Sequence, residues 1–323
     1  APARAQDLTL RHRVVAYRAG DLERLYPTLA IEEDAFVNYG FLPRTHYALM
    51  HPRIPRTRWG PATTRRAEAV LAFVRARGEA HPRDVDAYFE HGAVRNYWGG
   101  SSNATTHLLD GLHYRGLLRV VRRDAGIRVY AAREQTAERL DAATRRARLD
   151  ALADIVIRKY APLPLASLNA VVRRLRYGTP QWRSGLDSAL VRARKRLAHA
   201  HVDGVDWYWP ADEDPRIIGA SIAARVRLLA PFDPVVWDRA RFELFWDWAY
   251  RFEAYTPPRL RKLGYYALPL LWRDKVVGWA NLSVAGGVLQ TGLGYVAGRP
   301  PRDARFARQL ERELVAMRTF LRL

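Results

Sequence analysis

The sequence of 323 residues contains no cysteine. This absence excludes a disulfide scaffold, a thiolate zinc site, an iron–sulfur cluster and a cysteine nucleophile. Long hydrophobic runs are also missing, because the longest, residues 265–272, is far shorter than the roughly 18 residues of a membrane-spanning helix. No signal-peptide pattern opens the chain, since charged residues such as Arg4 and Asp7 interrupt it. We therefore expect a cytoplasmic protein that makes no membrane contact.

Acidic residues are few, with 33 Asp and Glu against 53 Lys and Arg, which gives a formal net charge of +20. Lysine occurs only at Lys159, Lys195, Lys262 and Lys275, so nearly all of the basic residues are arginine. A G+C-rich genome would account for the preference for arginine, but not for the surplus of positive charge. The surplus favours a polyanionic partner, because guanidinium groups fork onto phosphate and base edges.

Neither a metal nor a cofactor is expected. No histidine pair has the spacing of metal ligands, and His199-Ala200-His201 is too short to place two ligands on one helix face. The sequence also lacks the Gly-x-Gly-x-x-Gly and Gly-Lys-Ser/Thr patterns of phosphate-cradling loops, which disfavours a nucleotide-driven motor.

The spacing of apolar residues predicts an α+β protein with tandem winged-helix domains, followed by a C-terminal α+β unit with a small antiparallel sheet. Residues 1–60 are interpreted as the remnant of a first winged helix, formed by helices and turns, together with a basic connector. Residues 61–133 are predicted to form a winged helix. Residues 134–215 are predicted to form a second one, preceded by a linker helix over 134–148. Residues 216–323 form the C-terminal unit.

Residues 61–133 carry the clearest pattern for a winged helix. Ala67, Val70, Leu71 and Val74 follow helical spacing, and Gly78 ends that helix. A second helix over 82–90 and a third over 102–116, with Ser102 as its cap, precede strands at 117–122 and 127–132. In residues 134–215 three looser helical stripes precede a hairpin with Asp203-Gly204 at its tip.

The C-terminal unit is rich in aromatic residues. A helix is predicted over 239–248, strands over 265–271, 276–282 and 288–296, and a last helix whose apolar stripe runs from Phe306 to Leu321. Eight aromatic residues lie between Trp237 and Tyr255. They are interpreted either as the core of this unit or as a stacking platform for unpaired or extruded bases.

In a winged helix the third helix enters the major groove and the hairpin touches the DNA backbone or minor groove. We therefore predict double-stranded DNA as the partner of a monomeric, nucleoid-associated protein. Asp110 on the same helix face repels phosphate, so it must pair with an arginine or accept from a base amine. The alternative for these residues is a solvated polar surface. The predicted DNA-binding residues are Arg4, Arg11, Arg13, His51, Arg53, Asn103, Thr106, His107, Arg122, Arg123, Arg128, Arg192, Arg194, Lys195 and Arg196.

Several segments resemble the winged-helix DNA glycosylase family typified by AlkZ and YcaQ. These segments span most of the chain and read Ala-Arg-Ala-Gln-Asp-Leu-Thr-Leu-Arg-His-Arg from Ala3, Phe-Val-Asn-Tyr-Gly-Phe-Leu-Pro from Phe36, His51-Pro52-Arg53, Leu-Leu-Ala-Pro-Phe-Asp-Pro from Leu228, Tyr-Arg-Phe-Glu-Ala-Tyr from Tyr250 and Gly-Tyr-Tyr-Ala-Leu-Pro-Leu-Leu from Gly264. The resemblance implies tandem winged helices with a basic concave surface. It also implies N-glycosidic hydrolysis that releases alkylated bases and unhooks interstrand crosslinks.

Two departures from the family pattern affect the expected activity. The resemblance places a catalytic Gln-x-Asp motif just before the segment that begins here at Ala1, and no Gln-x-Asp occurs in this sequence. We therefore expect a truncated chain that binds DNA and cleaves little or nothing, with its catalytic residues unknown. In addition, Asn281-Leu282-Ser283-Val284-Ala285 stands where the family has an Asp and then a Lys-Ala-Asp-Arg-like run, which indicates a divergent branch.

Two other classes of function are compatible with the sequence. A winged-helix transcription regulator would bind one palindromic site as a dimer. A protein-interaction scaffold would bind its partner with an affinity that does not depend on salt concentration. A protein that neutralises phosphates would instead lose affinity steeply as salt concentration rises.

Overall fold

The architecture is mixed α and β, as predicted, with helices that pack around five small antiparallel sheets in the described chain. The computed structural model describes residues 1–90, 92–95, 101–135, 140–215 and 222–323. No described helix is long and apolar enough to cross a membrane.

The N-terminal segment contains a β-hairpin where only helices and turns were predicted. Its elements are α1 (Ala5–Leu10), α2 (Asp21–Leu25), β1 (Ile31–Ala35), β2 (Tyr39–Pro43) and α3 (Arg44–Met50). The prediction was wrong at β1 because a strand is normally recognised by alternating apolar residues. The buried side chains of β1 are instead the acidic Glu32, Glu33 and Asp34.

Residues 61–133 show the predicted succession of three helices and a hairpin. The elements are α4 (Pro61–Arg77), β3 (Glu79–Ala80), α5 (Pro82–Phe89), β4 (Ala93–Arg95), β5 (Ser101–Asn103), α6 (Ala104–Tyr114), β6 (Leu118–Asp124) and β7 (Ile127–Ala132). The predicted stripe of α4 is buried in one core with Leu109, Leu112 and Leu118. The cap of α6 is Asn103 rather than Ser102, because the Asn103 side chain accepts from the Thr106 N–H at 3.0 Å.

Residues 142–210 repeat this order more compactly. The elements are α7 (Ala142–Tyr160), β8 (Leu163–Pro164), α8 (Leu165–Arg174), α9 (Leu186–Arg196), β9 (Leu197–Val202) and β10 (Val205–Pro210). The hairpin turns at Asp203-Gly204, as predicted. The separate linker helix was a wrong prediction for residues 142–148, because α7 runs unbroken from its cap at Asp141 to Tyr160. Residues 136–139 of that prediction lie outside the described chain.

The C-terminal unit is a four-stranded antiparallel sheet covered by the last helix. The elements are β11 (Val226–Leu228), α10 (Pro234–Trp237), α11 (Arg239–Trp246), β12 (Leu268–Trp272), β13 (Lys275–Ala285), β14 (Val288–Tyr295) and α12 (Ala304–Leu321). Phe306, Leu310 and Met317 of α12 are buried on the sheet.

Leu8 and Tyr17 from the N-terminal segment pack into this same C-terminal core. The Ala19 N–H donates to the Phe320 carbonyl at 2.9 Å, and the Tyr17 and Phe320 rings stack 6.4 Å apart. The two ends of the described chain therefore form one packed unit. The domain boundaries themselves stay a prediction.

Candidate nucleic-acid interface

The arginines predicted to bind DNA fall into two groups in the structure, those engaged by carboxylates in the interior and those exposed on the surface. The three N-terminal arginines all have acidic partners. Arg11 is buried and donates to Glu313 at 2.8 Å, while Arg13 donates to both oxygens of the buried Asp233 at 2.7 and 2.9 Å. Arg4 pairs with Glu23 at 2.8 Å. Asp233 also caps α10 by accepting from the Val235 N–H at 3.0 Å.

Asp34 on β1 is the centre of a buried ionic cluster that contains His51 and Arg53. Arg53 donates to both Asp34 oxygens at 3.0 and 3.1 Å, and His51 Nε2 lies 2.7 Å from Asp34 Oδ2. Arg53 also donates to the carbonyls of Tyr114 and Gly178 at 2.8 Å. In this conformation neither His51 nor Arg53 presents a surface to a phosphate.

The electrostatics of this cluster follow from burial and close opposite charge. Burial by itself would raise the pKa of the Asp34 carboxyl, but the hydrogen bond from His51 and the charge of Arg53 hold that pKa at about 2. Burial lowers the pKa of His51 to about 4, against the opposing effect of Asp34. At neutral pH His51 is therefore uncharged, and its Nε2–H donates to the carboxylate.

Glu32 and Glu33 extend the ionic cluster to the hairpin of β6 and β7. Glu33 pairs with Arg123 and Arg128 of this hairpin, with Arg123 Nε at 2.9 Å and Arg128 Nε at 3.3 Å. Glu32 is contacted by three further arginines, Arg44, Arg119 and Arg133, at 3.0, 3.3 and 2.6 Å. The acidic strand β1 therefore neutralises much of the charge predicted to face DNA.

The remaining hairpin and helix residues lie closer to the surface. Arg122 pairs with Glu79 of β3 and with Asp124, which lies on the hairpin itself. Asp110 pairs with Arg128 at 2.7 Å. An arginine was one of the two partners expected for this carboxylate, the other being a base amine. Thr106 and His107 are exposed on α6.

A groove of about 520 Å³ between α7, α9 and the turn at Pro180–Gly185 carries a second, open set of arginines. Arg145 and Arg146 of α7 are exposed on it, and neither makes an ion pair within the described chain. Arg192 also lines the groove and is held by Asp150 at 2.7 Å. The side chains of Gln181, Ser184 and Ser188 complete its polar lining.

The predicted basic patch on α9 adjoins this groove. Arg194 lies against the Tyr208 ring with its cation 5.6 Å from the centroid, and Arg196 pairs with the exposed Asp154 at 2.7 Å. Lys195 is exposed. Sequence reasoning included this patch but missed Arg145 and Arg146, because they lay in the predicted linker. The run Thr144-Arg145-Arg146-Ala147-Arg148 was the available signal.

The buried carboxylates of the described chain are all engaged by other groups. Asp7 accepts from the Tyr17 hydroxyl at 2.5 Å, and Glu253 accepts from the backbone N–H groups of residues 262–264 at 2.7–3.2 Å. The other buried carboxylates are Glu32, Glu33, Asp34, Asp233 and Glu313, whose partners are given above. Each of them therefore already accepts a hydrogen bond or forms an ion pair within the described residues. In the part of the chain that the structure describes, no three side chains are grouped to hold a metal ion.

Comparison with known proteins agrees with the resemblance seen in the sequence. The sequence model of the family described as AlkZ-like DNA glycosylase matches residues 1–320. The fold is similar to that of the Streptomyces sahachiroi DNA glycosylase AlkZ, with a TM-score of 0.58 and 13% identity, over 98% of this chain and 86% of that chain. The chain belongs to the AlkZ-like DNA glycosylase family.

Proposed function

We propose that the chain binds duplex DNA as a monomer through the α7–α9 groove and the α9 patch, with residues 61–133 and 142–210 acting as winged helices. The observation that carries this proposal is the pair Arg145 and Arg146, which are exposed and make no ion pair with any residue that the structure describes. An exposed arginine without a carboxylate partner is free to replace the counterions of a phosphate. By contrast, the arginines around β1 already form ion pairs with protein carboxylates.

The proposed substrate class is DNA that carries alkylated or crosslinked bases. Hydrolysis of the N-glycosidic bond develops positive charge on the deoxyribose, which a carboxylate or an amide must stabilise while it orients water. The sequence contains no Gln-x-Asp, and every buried carboxylate of the described residues has another partner. We therefore expect binding of damaged duplex with little or no base release.

The binding proposal is tested by the salt dependence of affinity for a labelled duplex. Replacement of Arg145 and Arg146 by alanine removes two phosphate contacts, so the slope of log affinity against log salt becomes shallower by about 1.8. A matched variant, Arg308→Ala with Arg312→Ala, removes the same charge from exposed residues of α12. An equal change in both variants would show that net charge alone drives binding and would contradict the proposed groove.

The catalytic part is tested by release of an N7-alkylguanine from duplex DNA. We expect the 323-residue chain to bind this duplex and to release no more base than a protein-free control. Robust turnover would contradict this expectation. Enrichment of one palindromic sequence from a random pool would favour a transcription regulator instead.

A further inference from the structure

The aromatic residues of the C-terminal unit divide into a buried set and an exposed set. Phe242 and Tyr250 are fully buried, as expected for a core. In contrast, Tyr255 is 93% exposed, Tyr265 53% and Phe232 46%. Large exposed apolar side chains that lie together mark interaction surfaces rather than stability.

Two half-buried rings, Phe252 and Tyr266, join exposed rings into a connected cluster. The Phe252 ring meets the rings of Phe232, Tyr255 and Tyr266 edge-on, at centroid distances of 5.1, 6.2 and 5.3 Å. Tyr265 precedes Tyr266 in the chain and lies under the Arg261 cation at 5.0 Å. We call Phe232, Phe252, Tyr255, Tyr265 and Tyr266 the aromatic cluster.

The loop that carries every member of the cluster except Phe232 is held by hydrogen bonds from below. The Glu253 carboxylate accepts from the N–H groups of Lys262, Leu263 and Gly264, and these hydrogen bonds outweigh burial and lower its pKa. Asn281 of β13 donates to the Leu263 carbonyl at 2.7 Å. Gly264 has a φ of +111°, and a Cβ there would lie 2.5 Å from the Asn281 side chain, so only glycine fits. The cluster is therefore preorganised before any ligand arrives.

The surroundings of the cluster are positively charged. Arg251, Arg259 and Lys262 are exposed on the same loop, and Arg261 is half-buried against Tyr265. The one carboxylate of the loop, Glu253, is buried beneath it. Exposed π faces beside a row of cations complement stacked bases joined by phosphates, whereas a neutral apolar protein face would leave these cations unmatched.

We propose that the aromatic cluster is a stacking platform for unpaired nucleobases, with Tyr255 as its outermost ring. It would receive a locally single-stranded segment of DNA while the paired part occupies the basic groove. This inference rests on the proposed function as a DNA-binding protein, but it concerns a different surface and an unpaired form of the nucleic acid. Stacking on an aromatic ring tolerates any base, so the platform selects for lost pairing rather than for sequence.

The test measures binding of the full chain to a labelled oligo-dT strand and to a fully paired duplex of the same length, at one salt concentration. Tyr255→Ala is expected to weaken binding of the single strand by about 5- to 100-fold, while duplex affinity changes by less than about twofold. Tyr255→Phe retains the ring and should restore single-strand affinity. The matched control is Tyr88→Ala, which removes a tyrosine that is 68% exposed in the proposed winged helix of residues 61–133 and should leave single-strand affinity unchanged.

A second readout does not depend on affinity. Single strands that contain 5-iododeoxyuridine should photo-crosslink to the peptide that carries Tyr255, because such crosslinking favours stacked rings. Single-strand binding that is unchanged in Tyr255→Ala, with normal duplex binding, would overturn the platform alone. Absence of binding to either probe by the unaltered chain would overturn the proposed function and this inference together.

Discussion

Two arginine-rich regions of this molecule contrast sharply. Around the acidic strand β1, the arginines point inward and share the buried carboxylates of Glu32, Glu33 and Asp34. Along the α7–α9 groove, Arg145 and Arg146 are exposed and form no ion pair in the described part of the chain. Both regions contribute to the same net charge of +20, but only the second offers that charge to a partner. Net charge therefore predicts a class of partner and not the surface that meets it.

The arginines around β1 have a different role, because they join separate parts of the chain. The single side chain of Arg53 hydrogen-bonds to Asp34 of β1, to the Tyr114 carbonyl at the end of α6 and to the Gly178 carbonyl beyond α8. A planar cation with five donors can satisfy several acceptors at once. The hairpin of β1 and β2 is thus fixed between the two units that are proposed to hold DNA.

The largest expected effect comes from breaking the inward region. Arg53→Ala leaves the Asp34 charge buried and several carbonyls unpaired, so the free energy of unfolding should fall by about 3–5 kcal/mol. Urea denaturation at neutral pH measures it. Arg56→Ala, at an exposed neighbour, is the control and should change stability by less than about 0.5 kcal/mol. If the free energy of unfolding fell by a similarly small amount in both variants, the buried arginines would not differ from exposed ones in their contribution to stability.

A smaller effect is expected from pH. The pKa of His51 is about 4 in the folded chain against 6.5 for an unperturbed histidine, so the unfolded chain binds more protons between these values. Stability therefore rises with pH across this window and is lost as pH falls from 6.5 to 4, by up to about 3 kcal/mol. Acidification further towards pH 2 should lower stability again, because the Asp34 pKa is also depressed, to about 2.

His51→Gln isolates the contribution of the histidine. Glutamine can still donate to Asp34 but does not titrate, so the decline in stability between pH 6.5 and 4 should become shallower. Denaturation curves at several pH values measure this difference. A residual slope is expected, because burial also lowers the pKa of His12 and of His113. Identical slopes in the two proteins would mean that His51 does not control this window.

The smallest effect concerns the outward region. Asp154 pairs with Arg196 on the surface, and both side chains are largely solvated. Asp154→Asn should change the free energy of unfolding by less than about 1 kcal/mol, as for other exposed ion pairs. Because Arg196 is then free, duplex affinity should rise up to about threefold at low salt and converge at high salt. An unchanged affinity at low salt would place Arg196 outside the DNA-binding surface.

Local patterns predicted most of the fold. Val70 and Val74 on α4 and the Asp203-Gly204 turn lie where apolar spacing and turn chemistry placed them. The strand β1 was not predicted because its buried side chains are acidic. Arginines far along the chain, rather than apolar neighbours, neutralise these side chains and so allow them to be buried. Arg123 is 90 positions from Glu33, and no local pattern encodes such a contact.

The same limit applies to the candidate site. Residue type predicted arginine as the DNA-contacting group, and Arg194, Lys195 and Arg196 of the α9 patch are exposed in the structure. It could not separate Arg53, which is buried, from Arg145, which is exposed. That separation depends on which carboxylates the fold brings close, and therefore on tertiary structure.

The packing of the N-terminal segment into the C-terminal core has a consequence for synthesis. Arg11 and its partner Glu313 are 302 positions apart, and Leu8 and Tyr17 pack against a sheet and a helix that are translated long after them. At roughly 5–20 residues per second, the segment waits on the order of 15–60 s for this surface to emerge. During that interval its apolar side chains remain in water, although the residues between them have the local contacts to fold first. A helix translated hundreds of residues later is therefore the one that gives α1 and α2 their place.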